Sequence, residues 1–172
     1  RDHGQDSRYH HIRLGINGRL DTIQAAVLLA KLDIFESEVV SRQRAAARYE
    51  TLLADKAQQG LLALPVVLSH NTSTWAQYTV RVKNRSLVQQ SMTEAGIPTA
   101  VHYPTSLYRQ PALKQSTIEC EQSDRAANEV LSLPMHPYLT DEIQKQIAKC
   151  LSEAIDASGA SPSFSNKENS VV

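Results

Sequence analysis

Asn17 and Arg19 stand two residues apart in Gly15-Ile-Asn-Gly-Arg-Leu-Asp-Thr-Ile-Gln-Ala-Ala26, just ahead of an apolar stripe begun by Leu20, Ile23, Ala26 and Val27. A carboxamide and a guanidinium at a helix entrance form an anion-binding corner, because both donate hydrogen bonds and a helix N-terminus is electropositive. A simpler reading competes: Asn17 and Gly18 make a turn, and Asp21 is a favourable first-turn acid. Taken alone, the stretch is satisfied by the simpler reading. A second pair, His102-Tyr103, precedes Pro104 at the end of an expected strand, where side chains point into a cleft. A histidine there can donate a hydrogen bond to a ligand; the competing reading, a satisfied, partly buried turn residue, is the better one on the residues alone. His3, His10 and His11 raise the question of a metal. Adjacent His10 and His11 point apart in most conformations, and no carboxylate or cysteine stands at a ligand-like spacing, so no metal site is expected.

These residues must be held by something. Residues 1–16 read as loop, punctuated by Gly4 and Gly15. Residues 20–54 read as one long helix from the spacing of Ile23, Ala26, Val27, Ala30, Ile34 and Phe35, with a kink or break at Glu36-Ser37-Glu38. Pro65 and the polar stretch 69–74 make a loop. Trp75–Val82 alternates as a half-buried strand. Ser86–Ala95 reads as a helix with Leu87, Val88 and Met92 inward and Gly96 as its stop. Thr99–Tyr103 is a short strand, and residues 105–123 are irregular with a short helix at Pro111–Lys114. Asp124–Leu131 reads as a helix capped by Ser123, and Pro134–Leu139 as a loop. Thr140 caps a last helix through Ile155, with Ile143, Ile147 and Leu151 on one face. The pattern is an α/β one, and no internal repeat is visible.

Composition narrows the partners. The 172 residues carry 18 basic and 18 acidic side chains, which gives no electrostatic case for nucleic acid or an anionic membrane surface. No apolar run is long enough to span a bilayer, and no signal core opens the chain. Cys120 and Cys150 are far apart in sequence and read as reduced thiols of a cytoplasmic protein. The chain does not open on Met, as expected of a partial sequence.

Several motifs occur together in order: Arg1-Asp-His-Gly-Gln5, Arg8-Tyr-His-His11, the Gly15–Ala26 stretch, Ala76-Gln-Tyr-Thr-Val-Arg81, Gly96-Ile-Pro98, His102-Tyr-Pro104, Gln110-Pro111 and Leu133-Pro-Met-His-Pro-Tyr138. Over residues 1 to 155 the chain resembles the DegT/DnrJ/EryC1/StrS sugar aminotransferases, and within them the branch that aminates UDP-linked 3-keto uronic acids. The resemblance implies the C-terminal portion of a fold-type I transferase dependent on pyridoxal 5′-phosphate. Residues 1–35 would end the large cofactor domain, 36–156 would form a small α/β domain, and 157–172 would be a disordered tail. It also implies a homodimer with composite active sites. There Asn17 would reach the partner's cofactor phosphate, Arg19 the sugar carboxylate, and His102 and Tyr103 the nucleotide-sugar. His10 or His11, with Arg8 and Tyr9, would line the dimer-side entrance. The amino donor would be an amino acid, glutamate by resemblance, and the setting surface polysaccharide (lipopolysaccharide) biosynthesis.

None of Lys31, Lys56, Lys83, Lys114, Lys145, Lys149 and Lys167 sits in the Ser-x-x-Lys setting that the family uses for its Schiff-base lysine. No catalytic residue is therefore expected in this stretch, which by itself should not transaminate. The rival expectation is a catalytically inactive binding and dimerisation module. Trp75 and Tyr78 offer rings that stack on a uracil base, although the strand setting favours core packing for Tyr78. His136, between prolines, reads as structural.

Overall fold

In the computed structural model, residues 2–113 and 119–164 are described, and the chain divides into two compact units, 1–38 and 39–172. The first unit opens on an antiparallel hairpin, β1 (Gln5–Ser7) against β2 (His10–His11), rather than the loop expected for residues 1–16. Two glycines make this corner. A Cβ on Gly15 would lie 2.3 Å from the Gly4 nitrogen, and one on Gly4 would lie 1.9 Å from the Arg13 carbonyl oxygen. Only with both side chains missing can His3 N–H donate to Ile16 O at 3.0 Å and Asp2 pair with Asn17.

Helix α1 (Thr22–Gln58, 37 residues) crosses the boundary between the units. It is about 55 Å long. Asp21 starts it: its Oδ1 accepts from the Ile23 and Gln24 N–H groups at 2.9 and 3.1 Å, so this acid is a cap rather than a first-turn residue. The expected break at Glu36-Ser37-Glu38 does not occur. Ser37 Oγ donates back to Ile34 O at 2.8 Å, which keeps the hydroxyl on the helix instead of opening it.

The second unit is built on a three-stranded antiparallel sheet, in the order β3 (Leu62–Ala63), β4 (Tyr78–Val82), β5 (Val130–Leu133). The β4–β5 register pairs Tyr78 with Leu133 and Val80 with Leu131. Alternation puts Tyr78, Val80 and Val82 into the core with Tyr49 and Leu53 of α1. Val88 and Met92 of α2 (Arg85–Glu94) join them, as do Ile147, Leu151 and Ile155 of α4 (Asp141–Ala157). Gln144 is wholly buried and donates to Ala45 O at 2.9 Å, tying α4 to α1.

Several expectations are corrected. The strand begins at Tyr78 and not at Trp75, whose φ of 49° lies outside strand geometry. Leu87 is exposed, as is Ile143; only the other members of those faces are buried. Thr99–Tyr103 contributes one bridge, Ala100 to Ser132, rather than a strand. The helix placed at Asp124–Leu131 is α3 (Glu121–Glu129), preceded by Cys120 instead of a Ser123 cap. Its last two expected residues begin β5, because Val130 and Leu131 pair with β4. In the expected 157–172 tail, Ala157 ends α4 and Phe164 is only 7% exposed, with Ser163 and Phe164 N–H both donating to Gly60 O. The tail is therefore placed through 164, and the rest of that expectation lies outside the described residues.

Candidate functional site

Asn17 and Arg19 lie in the first unit, between the hairpin and α1, and the structure joins them. Arg19 Nε donates to Asn17 Oδ1 at 2.9 Å. The carboxamide oxygen is thereby occupied, and Nδ2 is left as the donor for an incoming group. Asp2 Oδ1 stands 3.9 Å from Arg19 Nε with both side chains more than half exposed, a pair of little energetic weight. Asp21, the acid that could have neutralised Arg19, is engaged at the helix cap. Among the described residues no hydrogen bond engages the Nη atoms of Arg19. The corner therefore offers a forked guanidinium and a carboxamide N–H to an anion. The helix dipole adds little here, since the Asp21 carboxylate already sits on the first free N–H groups.

The hairpin beside them is polar and exposed. His10 Nδ1 lies 2.7 Å from Asp6 Oδ1, and that ring holds the Asp6 carboxyl below its usual range. His11 Nδ1 donates to His3 O at 3.0 Å, and Arg8 Nη2 donates to Tyr9 OH at 3.0 Å. Among the described residues no group of three or more His, Cys, Asp or Glu side chains is placed to hold a metal ion.

His102 and Tyr103 belong to the second unit. Their peptide bond is cis, their rings meet edge to face with centroids 5.7 Å apart, and Tyr103 is 76% exposed. His102 lines a cavity of about 400 Å³ with Gln77, Thr99, Ser132, Pro134 and Met135. Thr99 Oγ1 is buried beside it without a hydrogen-bond partner among the described residues. The segment is fixed on one side by reciprocal bonds between Ala100 and Ser132, at 3.1 and 2.8 Å.

On its other side stands a cluster that sequence reasoning missed. Asp124 of α3 accepts from Ser106 Oγ at 2.6 Å, from Tyr108 OH, and from Arg109 Nε and Nη2 at 2.8 and 2.5 Å. The Arg109, Ser106 and Tyr108 hydrogen bonds, in that order, hold its carboxyl far below the usual range. The available signal was an acid early in a helix following a segment that carries Ser, Tyr and Arg.

The aromatic pair resolves in two directions. Tyr78 is core: it is buried, packs on Tyr49 at 4.9 Å, and burial pushes its hydroxyl far up. Trp75 lines a separate cavity of about 280 Å³ with Gln43, Glu50, Pro65 and Val67, and its Nε1 donates to Gln43 Oε1 at 3.0 Å. His136 Nδ1 accepts from Tyr138 N–H at 3.2 Å, a turn role. No helix among the described residues is long and apolar enough to cross a membrane.

The sequence profile of the DegT/DnrJ/EryC1/StrS aminotransferase family matches residues 1–152. The chain is 51% identical over 149 residues to the UDP-2-acetamido-2-deoxy-3-oxo-D-glucuronate aminotransferase of Pseudomonas aeruginosa, covering 87% of this chain and 40% of that protein. It is 34% identical over 150 residues to the UDP-N-acetyl-3-dehydro-alpha-D-glucosamine 3-aminotransferase of Acidithiobacillus ferrooxidans, covering 86% of this chain and 39% of that one. Among solved structures, a DegT DnrJ EryC1 StrS aminotransferase from Brucella abortus superposes with a TM-score of 0.79 at 37% identity, covering 88% of this chain and 40% of the other. DesV of S. venezuelae, solved with a ketimine intermediate, gives 0.81 at 30% identity, covering 90% of this chain and 42% of that one. The chain thus spans about two fifths of the length of the relatives it matches. The long helix and small sheet unit are the C-terminal portion of a pyridoxal-phosphate transferase fold, and the chain belongs to the DegT/DnrJ/EryC1/StrS aminotransferase family.

Proposed function

We propose that this chain is part of a nucleotide-sugar aminotransferase dependent on pyridoxal 5′-phosphate. The whole protein moves an amino group from an amino acid, glutamate, to a UDP-linked 3-keto uronic acid used in surface polysaccharide. Residues 1–35 complete the large domain and 36–156 form the small one. The enzyme works as a homodimer in the cytoplasm, a setting in keeping with the free thiols of Cys120 and Cys150.

The observation that carries this reading is the Asn17–Arg19 corner, in which Arg19 Nε holds the carboxamide oxygen and leaves N–H donors for anions. These donors fit the phosphate end of the cofactor and a substrate carboxylate. When bound, pyridoxal phosphate supplies the carbonyl–amine exchange and the electron sink that amino transfer needs. Asn17 donates through Nδ2 to that phosphate in the partner's site. Arg19 forks onto the sugar carboxylate, for which a planar guanidinium is suited. His102 and Tyr103 receive the nucleotide-sugar, with His102 donating to its diphosphate or a hydroxyl. Support for the substrate comes from the Pseudomonas aeruginosa relative, which is named for a 3-oxo-glucuronate sugar.

A chimera tests this: the preceding part of the Pseudomonas aeruginosa relative joined to this chain. It should retain pyridoxal phosphate and consume glutamate with the uronic keto-sugar. Asn17→Ala should lower cofactor retention. Arg19→Ala should raise KM for the uronic substrate roughly 10–100-fold, the equivalent of about 1.5–3 kcal/mol for hydrogen bonds to a charged group. Equal losses for a neutral keto-sugar would remove Arg19 from the carboxylate role. A second reading, a pairing module without chemistry, is favoured by the exposed apolar side chains Ile23, Val27, Leu28, Leu29 and Leu32 on the first half of α1. It predicts a chimera that assembles but neither holds cofactor nor consumes glutamate.

A further inference from the structure

Residues 101–105 form an arch between two anchors. Upstream, Ala100 and Ser132 exchange backbone hydrogen bonds and fix the chain to the sheet. Downstream, Ser106, Tyr108 and Arg109 all converge on the carboxylate of Asp124. The five residues between, Val101-His-Tyr-Pro-Thr105, include His102 and Tyr103. Both of these are exposed, and neither side chain has a hydrogen bond among the described residues. Beyond the contact between their two rings, no side-chain hydrogen bond among the described residues holds them, and their placement depends on where the two ends of the arch are pinned.

The downstream anchor rests on a single group. Asp124 Oδ1 takes Ser106 Oγ and Arg109 Nε, and Oδ2 takes Tyr108 OH and Arg109 Nη2. Arg109 Nε also donates to Tyr108 OH at 3.0 Å, and its guanidinium lies over the Tyr108 ring at 5.3 Å. Two residues of the short 3-10 turn Leu107–Arg109 and the Ser106 that precedes it are thus gathered by one carboxylate in fork and hydroxyl geometry. Ser106 is buried while Arg109 is exposed, so the anchor has a dry end next to the arch and a wet end away from it. The dry end matters more, because a buried hydroxyl left without its acceptor must move to find one.

We propose that Asp124 is a positioning residue for ligand binding: by anchoring Ser106, Tyr108 and Arg109 it pre-organises the His102–Tyr103 arch that receives the nucleotide-sugar. This rests on the reading of His102 and Tyr103 given under Proposed function. Asp124 touches no reacting atom. It acts by raising the fraction of molecules in which the arch is competent, and a loss of that fraction weakens apparent affinity in proportion.

The test uses the full 172-residue chain with UDP-glucuronic acid as the probe, and reads hydrogen exchange and binding together. In Asp124→Ala, exchange at 101–105 should rise about tenfold and the probe's Kd should rise about three- to tenfold. Exchange in β5 should stay unchanged. Asp124→Asn, which keeps one acceptor oxygen, enough for Ser106 or Tyr108 but not both, and loses the charge that holds Arg109, should fall between. Asp124→Glu should restore part of both effects. A purely structural role would speed β5 exchange as much as the arch, or leave Kd unmoved while the arch loosens; either result overturns the proposal. If the unaltered chain binds no probe but the exchange pattern appears as stated, the nucleotide-sugar reading fails while the anchoring of the arch stands.

Discussion

Glu129 gives the sharpest quantitative test of the second unit. It is 4% exposed at the end of α3, and three cations surround it. Arg81 of β4 donates Nε and Nη2 to Oε2 at 3.0 and 2.6 Å, Lys83 Nζ donates to Oε1, and Arg125 Nε reaches Oε1 at 3.4 Å. Glu129→Gln keeps the volume and removes the charge. Removing one partner of a buried pair costs about 3–5 kcal/mol. Two features pull the cost to the low end of that range or below it. The Gln carbonyl still accepts one hydrogen bond, and the Lys83 and Arg125 side chains, 34% and 29% exposed, can turn to water. Arg81, at 17%, has less freedom. A loss of about 2–3 kcal/mol follows, and with about 3–4 °C per kcal/mol for a unit of this size, Tm should fall by about 6–12 °C.

The pH dependence of Glu129→Gln has a definite sign. Burial pushes the Glu129 carboxyl up, but hydrogen bonds from Lys83 and Arg81 and their charges outweigh it and hold it below the ordinary glutamate value. A depressed pKa in the folded state means that its stabilisation is complete above the unfolded value, ~4.3, and is lost as pH falls through the folded one. Thermal unfolding followed by circular dichroism should therefore show the full gap between native chain and variant at neutral pH, narrowing as the buffer is made more acidic than that value. A gap under about 2 °C at neutral pH, or one that persists unchanged in acid, would falsify the reasoning.

Three further outcomes follow from local geometry. Gly60→Ala places a Cβ 2.9 Å from Phe164 O at a φ of +70°, so it should lower Tm and release the chain end to faster chymotrypsin cleavage at Phe164; the left-handed backbone alone costs about 1–2 kcal/mol. Thr140→Ala removes the oxygen that caps α4 at the Ile143 N–H and should cost about 1 kcal/mol in urea unfolding, with an unchanged m value. Gly15→Ala drives a Cβ into the Gly4 backbone and should abolish the slow exchange of the His3 N–H, which is bonded to Ile16 O, while leaving exchange in β4 and β5 untouched.

The helices were legible where their signal was local. Apolar spacing and Asp21 marked α1, and Thr140 marked the start of α4. Polarity at Glu36-Ser37-Glu38 misled, because the sequence does not reveal that the Ser37 hydroxyl folds back onto Ile34 O. Strand β5 was hidden for a different reason. Val130-Leu131 continues the apolar face of α3, and only the β4 edge, about fifty residues earlier in sequence, decides that these residues extend. Asn17 and Arg19 were legible as a pair because their spacing is short. Asp124 was not, because its meaning depends on Ser106, Tyr108 and Arg109, which no periodicity connects to it.

The family profile matches residues 1–152, yet α4 continues to Ala157 and the chain returns to Gly60 before Phe164. Ala154 and Ile155 are core residues, and the Phe164 ring lies over Arg81 and Lys83 at 5.6 and 5.5 Å. A protein trimmed at the edge of similarity would therefore lose plugs from its own interior. Such a fragment would expose sticky surface, and its poor yield in a cell would be mistaken for a fault of the retained sequence. The sound cloning boundary lies beyond Phe164, a buried residue, rather than where the profile match ends.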